Sequence, residues 1–161
     1  MKKILKNVED TKKFAEEFLQ MVLDGDRERN VVLLQGELGA GKTTFSQFVL
    51  EYLSAEGPFT SPTFVIMKKY ELKDDKKQRN DGHYHTTIYS SVESIYHLDC
   101  YRVDEESVLD LGWEEIIADK NNLVLVEWPE KIKNIWPKKY WLLKFEYGED
   151  KSDRAIEVIR N

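Results

Sequence analysis

The sequence predicts an α/β fold with a mostly parallel sheet, and three observations carry that expectation. Two runs, Val31-Val32-Leu33-Leu34 and Leu123-Val124-Leu125-Val126, are apolar without interruption. Strands buried on both faces read this way, as in a parallel sheet. The first run leads straight into a glycine-rich loop and then a helical pattern. Near the carboxyl end, residues 140–147 and 154–160 instead alternate apolar and polar side chains, with a turn-rich stretch at 148–153 between them. That combination predicts an antiparallel hairpin.

Taken in order, residues 2–5 form a short strand. Asn7 then suits a helix N-cap, with Glu9 and Asp10 in the first turn, where the helix dipole favours acids. Phe14, Phe18, Met21 and Val22 recur at helical spacing, and Asp24-Gly25-Asp26 stops the helix. After the first apolar strand a second helix is expected over residues 42–54. Residues 64–72 alternate like a strand. Residues 73–91 are polar, with the charge cluster Lys73-Asp74-Asp75-Lys76-Lys77, and read as an exposed loop or hairpin tip. Residues 94–99 predict another strand and residues 105–118 one helix. Asn121-Asn122 breaks that pattern before the second apolar strand, which ends at Glu127. A short helix is expected after Pro129.

The chain has 161 residues, which suits one domain spanning 1–161. Hydrophobic residues make up 41%, enough for a core, and the formal net charge is −6. That balance argues against broad charge-driven binding to nucleic acid, which requires a basic face. Cys100 is the one cysteine, so no intrachain disulfide can form. The Met-Lys-Lys start lacks a following apolar stretch of the signal-peptide kind, and no apolar run approaches membrane-spanning length. The expectation is a soluble cytoplasmic protein.

Gly36-Glu37-Leu38-Gly39-Ala40-Gly41-Lys42-Thr43 matches G-x-x-x-x-G-K-[ST], the phosphate-binding loop, or P-loop. Each residue type has a physical reason. Glycines let backbone N–H groups turn inward and approach phosphate oxygens. A helix opening near Lys42 offers unpaired N–H groups and a positive dipole end. The Lys42 ammonium is a mobile cation for the β- and γ-phosphates, and the Thr43 hydroxyl is a hard ligand for Mg²⁺. Thr44 could donate to the α-phosphate. Glu37, Leu38, Gly39, Ala40 and Gly41 supply the loop backbone. The motif sits between an apolar strand and a helix, as its mechanism requires. The expected architecture is therefore a P-loop NTPase-like three-layer sandwich, with antiparallel strands added at the C-terminal part, binding ATP and Mg²⁺.

Such a loop needs a carboxylate from a second buried strand to hold Mg²⁺ or its water. Glu127 ends such a strand, at the carboxyl edge where ligands of open α/β sheets bind. Asp99 ends another apolar-rich stretch. By spacing alone it is equally a strand-end cap, an acid that orients the attacking water, or one that holds a metal-bound water. Ser61-Pro62-Thr63 reads as an ordinary turn, or as a hydroxyl-bearing loop sensing the γ-phosphate. Trp128 either packs beside its strand or stacks near a nucleotide. His97 reads as a structural histidine. His83 and His85 have no partners at metal-site spacing.

Several segments together resemble the bacterial TsaE (YjeE) ATPases of tRNA N6-threonylcarbamoyladenosine synthesis. They are residues 36–45 around the glycine loop, Ser61-Pro62-Thr63-Phe64, His97-Leu98-Asp99-Cys100-Tyr101-Arg102 and Val126-Glu127-Trp128-Pro129-Glu130, in that order. Leu111-Gly112 and Arg154-Ala155-Ile156 extend the likeness. The resemblance implies that Lys42, Thr43 and Thr44 bind phosphates and Mg²⁺. It implies that Asp99 and Glu127 form the acidic pair near the metal and attacking water, and that Trp128 is a functional aromatic. Thr63 would belong to a mobile loop near the γ-phosphate. It further implies an ATPase that is weak alone and works with TsaD and TsaB partners, resetting their complex by hydrolysis and meeting tRNA only through it. Two departures stand out. Cys100 takes a position usually held by an aliphatic residue, and the stretch from residue 73 to about 93 is longer than the family's usual connection.

Two other P-loop classes fit less well. A small-molecule kinase brings an arginine-bearing lid, whereas Arg27, Arg29, Arg79, Arg102, Arg154 and Arg160 do not cluster along the chain. A GTPase switch carries an Asn/Thr-Lys-x-Asp motif after a strand, and none is present. A third reading keeps the P-loop but makes nucleotide binding, rather than turnover, the useful act.

Overall fold

The computed structural model describes residues 1–26, 28–62, 65–72, 92–150 and 153–161. The strands are β1 (Lys2–Leu5), β2 (Val31–Gly36), β3 (Met67–Glu71), β4 (Ser94–Asp99), β5 (Asn122–Glu127), β6 (Trp141–Tyr147) and β7 (Arg154–Arg160). The helices are α1 (Val8–Leu23), α2 (Lys42–Tyr52), α3 (Glu105–Leu109) and α4 (Trp113–Ala118), with a 3₁₀ segment at Pro129–Ile135.

The strands form one seven-stranded sheet in the order β1-β7-β6-β2-β5-β4-β3. β6, β2, β5 and β4 run parallel at its centre. β7 joins β6 antiparallel, β1 extends that edge, and β3 closes the opposite edge antiparallel to β4. The two uninterrupted apolar runs are thus neighbours, with Val31 opposite Val124 and Leu34 opposite Glu127. Helices cover both faces, which is why these strands carry no polar alternation. On one face α1 and α2 pack Phe14, Phe18 and Phe45 around Val32, Leu34 and Leu125. The three phenylalanine rings lie 5.8–6.1 Å apart between centroids. Each such side chain, once buried, contributes about 1.5–3 kcal/mol of transfer free energy. On the other face Val108, Trp113 and Ile132 cover Leu33, Val124 and Val126.

Local signals act where the sequence places them. Asn7 accepts from the Asp10 backbone N–H at 2.9 Å, capping α1. The expected single helix over residues 105–118 is instead two short helices. Gly112 adopts φ 81° between them, a left-handed conformation that glycine tolerates and that stops α3. The break turns Trp113 inward, where its Nε1 donates to the Ile135 carbonyl at 2.9 Å. The expected strand over 64–72 is described as Met67–Glu71. The polar segment 73–91, with His83 and His85, lies outside the described residues. No helix among the described residues is long and apolar enough to cross a membrane.

Candidate nucleotide-binding site

Three parallel strands deliver the site. Because β2, β5 and β4 run the same way, their carboxyl ends lie on one edge, and Gly36, Glu127 and Asp99 end there together. Asp99 stands directly opposite Glu127 in the β4–β5 register. Successive side chains alternate between faces of a strand, so His97, Asp99, Leu125 and Glu127 share the α2 face.

The glycine loop bends where its sequence allows. Gly36, Gly39 and Gly41 have φ of 151°, 76° and 103°. A Cβ at Gly36 would stand 2.5 Å from the Phe145 carbonyl oxygen of β6, so only glycine lets β2 leave the sheet there. A Cβ at Gly41 would meet nothing within 4 Å, because open space lies in front of the start of α2. Gly41 is the N-cap of α2 and provides no side-chain cap. The first N–H groups of the helix are therefore left for an outside acceptor.

A cavity of about 500 Å³ occupies this space. Leu38, Gly39, Gly41, Lys42, Thr43 and Thr44 form one wall. Ser61, Asp99, Tyr101, Arg102, Glu127 and Trp128 form the other. Lys42 is only 4% exposed. Its Nζ donates to the carbonyls of Gly36 at 2.6 Å and Glu37 at 2.9 Å, and lies 3.9 Å from the Trp128 ring centroid. Burial pushes this ammonium below the ordinary lysine value, while the carboxylates of Glu127, Glu130 and Asp99 pull it back up. The Thr43 hydroxyl donates to Glu127 Oε2 at 2.7 Å. The other carboxylate oxygen, Oε1, lies 2.8 Å from His97 Nε2, with both side chains nearly fully buried. A hydrogen bond to a carboxylate requires the His97 proton on Nε2. Nδ1 then has no partner among the described residues.

These donors suit a metal-bound polyphosphate. No group of three or more His, Cys, Asp or Glu side chains gathers into a metal site among the described residues. Mg²⁺ does not require one, since it keeps several waters and shares its remaining positions between one or two carboxylates and phosphate oxygens. Thr43 Oγ1 and Glu127 Oε2 are a matching pair of hard oxygens. Asp99 is 5% exposed and sits beside Ser61, whose hydroxyl lies 3.4 Å from Asp99 Oδ2. Asp99 Oδ1 accepts from the Tyr101 backbone N–H at 3.0 Å.

Of the candidates read from sequence, Leu38, Gly39, Gly41, Lys42, Thr43, Thr44, Asp99, Glu127 and Trp128 meet at one cavity. Glu37 and Ala40 complete the loop behind it; Ala40 is fully buried and its N–H donates to the Glu37 carbonyl at 3.2 Å. Thr63 lies outside the described residues. His97 reads from the sequence as a structural histidine, and the structure shows what it supports: the Glu127 carboxylate. The sequence assigns nothing to Tyr101 or Arg102 beyond their place in a segment shared with the TsaE family. Strand periodicity was the available signal: His97, Asp99 and Glu127 fall on one face once β4 and β5 are paired.

A sequence model of the family described as "Threonylcarbamoyl adenosine biosynthesis protein TsaE" matches residues 5–156. The tRNA threonylcarbamoyladenosine biosynthesis protein TsaE of Bacillus subtilis is 36% identical over 156 residues, covering 96% of this chain and 84% of that protein. The same-named protein of Rickettsia felis is 35% identical over 160 residues, covering 98% and 79%. Among solved structures, the crystal structure of Bacillus subtilis YdiB is similar, with a TM-score of 0.65 at 28% identity, covering 97% of this chain and 82% of that one.

Proposed function

The chain belongs to the TsaE family, and from that membership we infer that it serves tRNA threonylcarbamoyladenosine biosynthesis by binding and hydrolysing Mg-ATP. The observation that carries the chemical part is the Thr43–Glu127 hydrogen bond, 2.7 Å long, which closes one side of the cavity that Lys42 lines. Bound Mg-ATP supplies a phosphoanhydride whose terminal phosphoryl group is open to attack by water.

The protein's own part is positioning and charge. The loop amides of Glu37, Leu38, Gly39 and Gly41, with the first N–H groups of α2, would receive phosphate oxygens, and the Ala40 amide would join them on leaving the Glu37 carbonyl. Lys42, held on the Gly36 and Glu37 carbonyls, would turn from them to the β- and γ-phosphates. Burial strips it of water, so its charge acts at a lower effective dielectric than in solvent. Thr43 and Glu127 would hold the metal or its water. Thr44 reaches the α-phosphate, and Trp128 covers the lysine. Asp99 orients the attacking water or takes its proton. From the family resemblance, Thr63 is assigned to sensing the γ-phosphate. His97 fixes the Glu127 carboxylate so that Oε2 faces Thr43.

We extend the proposal to partners of the TsaD and TsaB kind, whose complex hydrolysis would reset. The test is a pull-down with the organism's TsaD–TsaB pair, with and without ATP, measuring phosphate release in the same tubes. ATP-dependent capture with stimulated release is expected. Capture indifferent to nucleotide, without stimulation, contradicts the proposal.

A further inference from the structure

The phosphate loop is gripped from two sides, and only the inner grip has a role so far. Inside, Lys42 Nζ holds the carbonyls of Gly36 and Glu37. Outside, the last residue pair of the β6–β7 hairpin reaches over the loop crown. Tyr147 and Arg154 face each other in the strand register. The Tyr147 hydroxyl donates to the Leu38 carbonyl at 2.6 Å, and Arg154 Nη2 donates to the Gly39 carbonyl at 3.2 Å. The guanidinium lies 4.7 Å from the Tyr147 ring centroid, so each side chain steadies the other.

We propose that Tyr147 and Arg154 are positioning residues that hold the crown of the phosphate loop in its anion-binding shape. The inference rests on the nucleotide-binding reading above. A loop that receives an anion must point its amides inward, which turns carbonyls outward. Leu38 and Gly39 present two such carbonyls, on the most exposed part of the loop: Leu38 is 75% exposed. Gly39 and Gly41 have positive φ and great freedom in a loosened loop. When Lys42 turns to a phosphate it releases its two carbonyls. The outer strap needs no such release and stays in place. Its contribution is order that would otherwise have to be imposed at binding.

The strap also has a steric side. A Cβ at Gly39 would come within 3.0 Å of the Tyr147 hydroxyl. The tyrosine therefore sits as close to the crown as a glycine permits.

Tyr147→Phe removes one donor and keeps the ring under Arg154. Arg154→Met removes the second donor; Arg154→Lys restores a charge without the planar fork. Two probes are titrated with Mg²⁺ present: a non-hydrolysable ATP analogue and inorganic tripolyphosphate, which lacks a base. Each single variant should weaken both probes by the same factor, about three- to tenfold for one exposed hydrogen bond. Arg154→Lys should recover part of the loss. The change should appear in KM for ATP more than in kcat. Amide hydrogen exchange at residues 38–41 of the ligand-free chain should quicken in Tyr147→Phe, at an unchanged melting midpoint.

Unchanged affinity for both probes in a folded Tyr147→Phe chain overturns the proposal. So does a loss confined to the ATP analogue, which would place the pair against the base. Lys42→Ala is the control on the underlying reading. If it abolishes binding of both probes while the strap variants bind normally, the strap alone fails. If it binds both probes like the parent chain, the nucleotide reading fails and the strap falls with it.

Discussion

The two flanks of the phosphate loop are built from different physics. On the β5 flank, Glu127 and His97 are 2% and 1% exposed, and Lys42 is 4% exposed. On the β6 flank, Tyr147 is 50% exposed. A polar group in the buried flank that loses its partner stays desolvated, which costs about 1–3 kcal/mol, more if charged. A polar group on the exposed flank turns to water instead. The same loop is thus held rigidly where charge must be placed and lightly where only its shape is at stake.

This contrast can be broken or sharpened by substitution. The largest effect is expected from Glu127→Ala. It removes the acceptor of both Thr43 and His97, and ATP hydrolysis should fall by about 10²–10³-fold. Most ATP affinity should remain, because the loop amides and Lys42 are untouched. Parallel phosphate-release and titration assays check it; equal losses of turnover and affinity would show that Glu127 works through loop structure. Next comes Gly36→Ala, at the seam between the flanks. Its Cβ would press on the Phe145 backbone at a φ of 151°, costing about 3 kcal/mol. Calorimetry should show a melting midpoint lower by about 6–12 °C.

A third expectation concerns Cys100, fully buried beside Asp99. Burial, then the charges of Asp99 and Glu130, push its thiol from the ordinary 9.0 up to about 12. Native chains should resist thiol reagents at neutral pH and react once unfolded. The sign for stability follows: above pH 9 the unfolded thiol ionises while the folded one stays protonated, so raising pH from 9 toward 12 favours unfolding. The smallest effect belongs to the exposed Lys2–Glu146 pair, 3.5 Å apart. Lys2→Ala should leave the midpoint within about 2 °C.

The buried flank was far more legible in the sequence than the exposed one. Apolar runs announce β2 and β5 because both faces of each are covered, and the acids ending β4 and β5 can be placed on one edge from strand direction alone. Lys42 and Thr43 follow from the loop motif, which is local. The Tyr147–Leu38 and Arg154–Gly39 contacts are not local. They depend on β6 lying parallel to β2, a pairing that no periodicity specifies. The same limit hides the partner of His97, since Glu127 is thirty positions away. The break at Gly112 was visible as a glycine, but the amphipathic pattern on either side reads through it as one helix.

One measurement bears most directly on the central claim that this loop is an anion cradle completed by a buried ammonium. It is the affinity of Lys42→Ala for a non-hydrolysable ATP analogue, by calorimetric titration with Mg²⁺ present. Loss of measurable binding in a chain that still melts cooperatively is the predicted result. A dissociation constant equal to that of the unaltered chain would contradict the account.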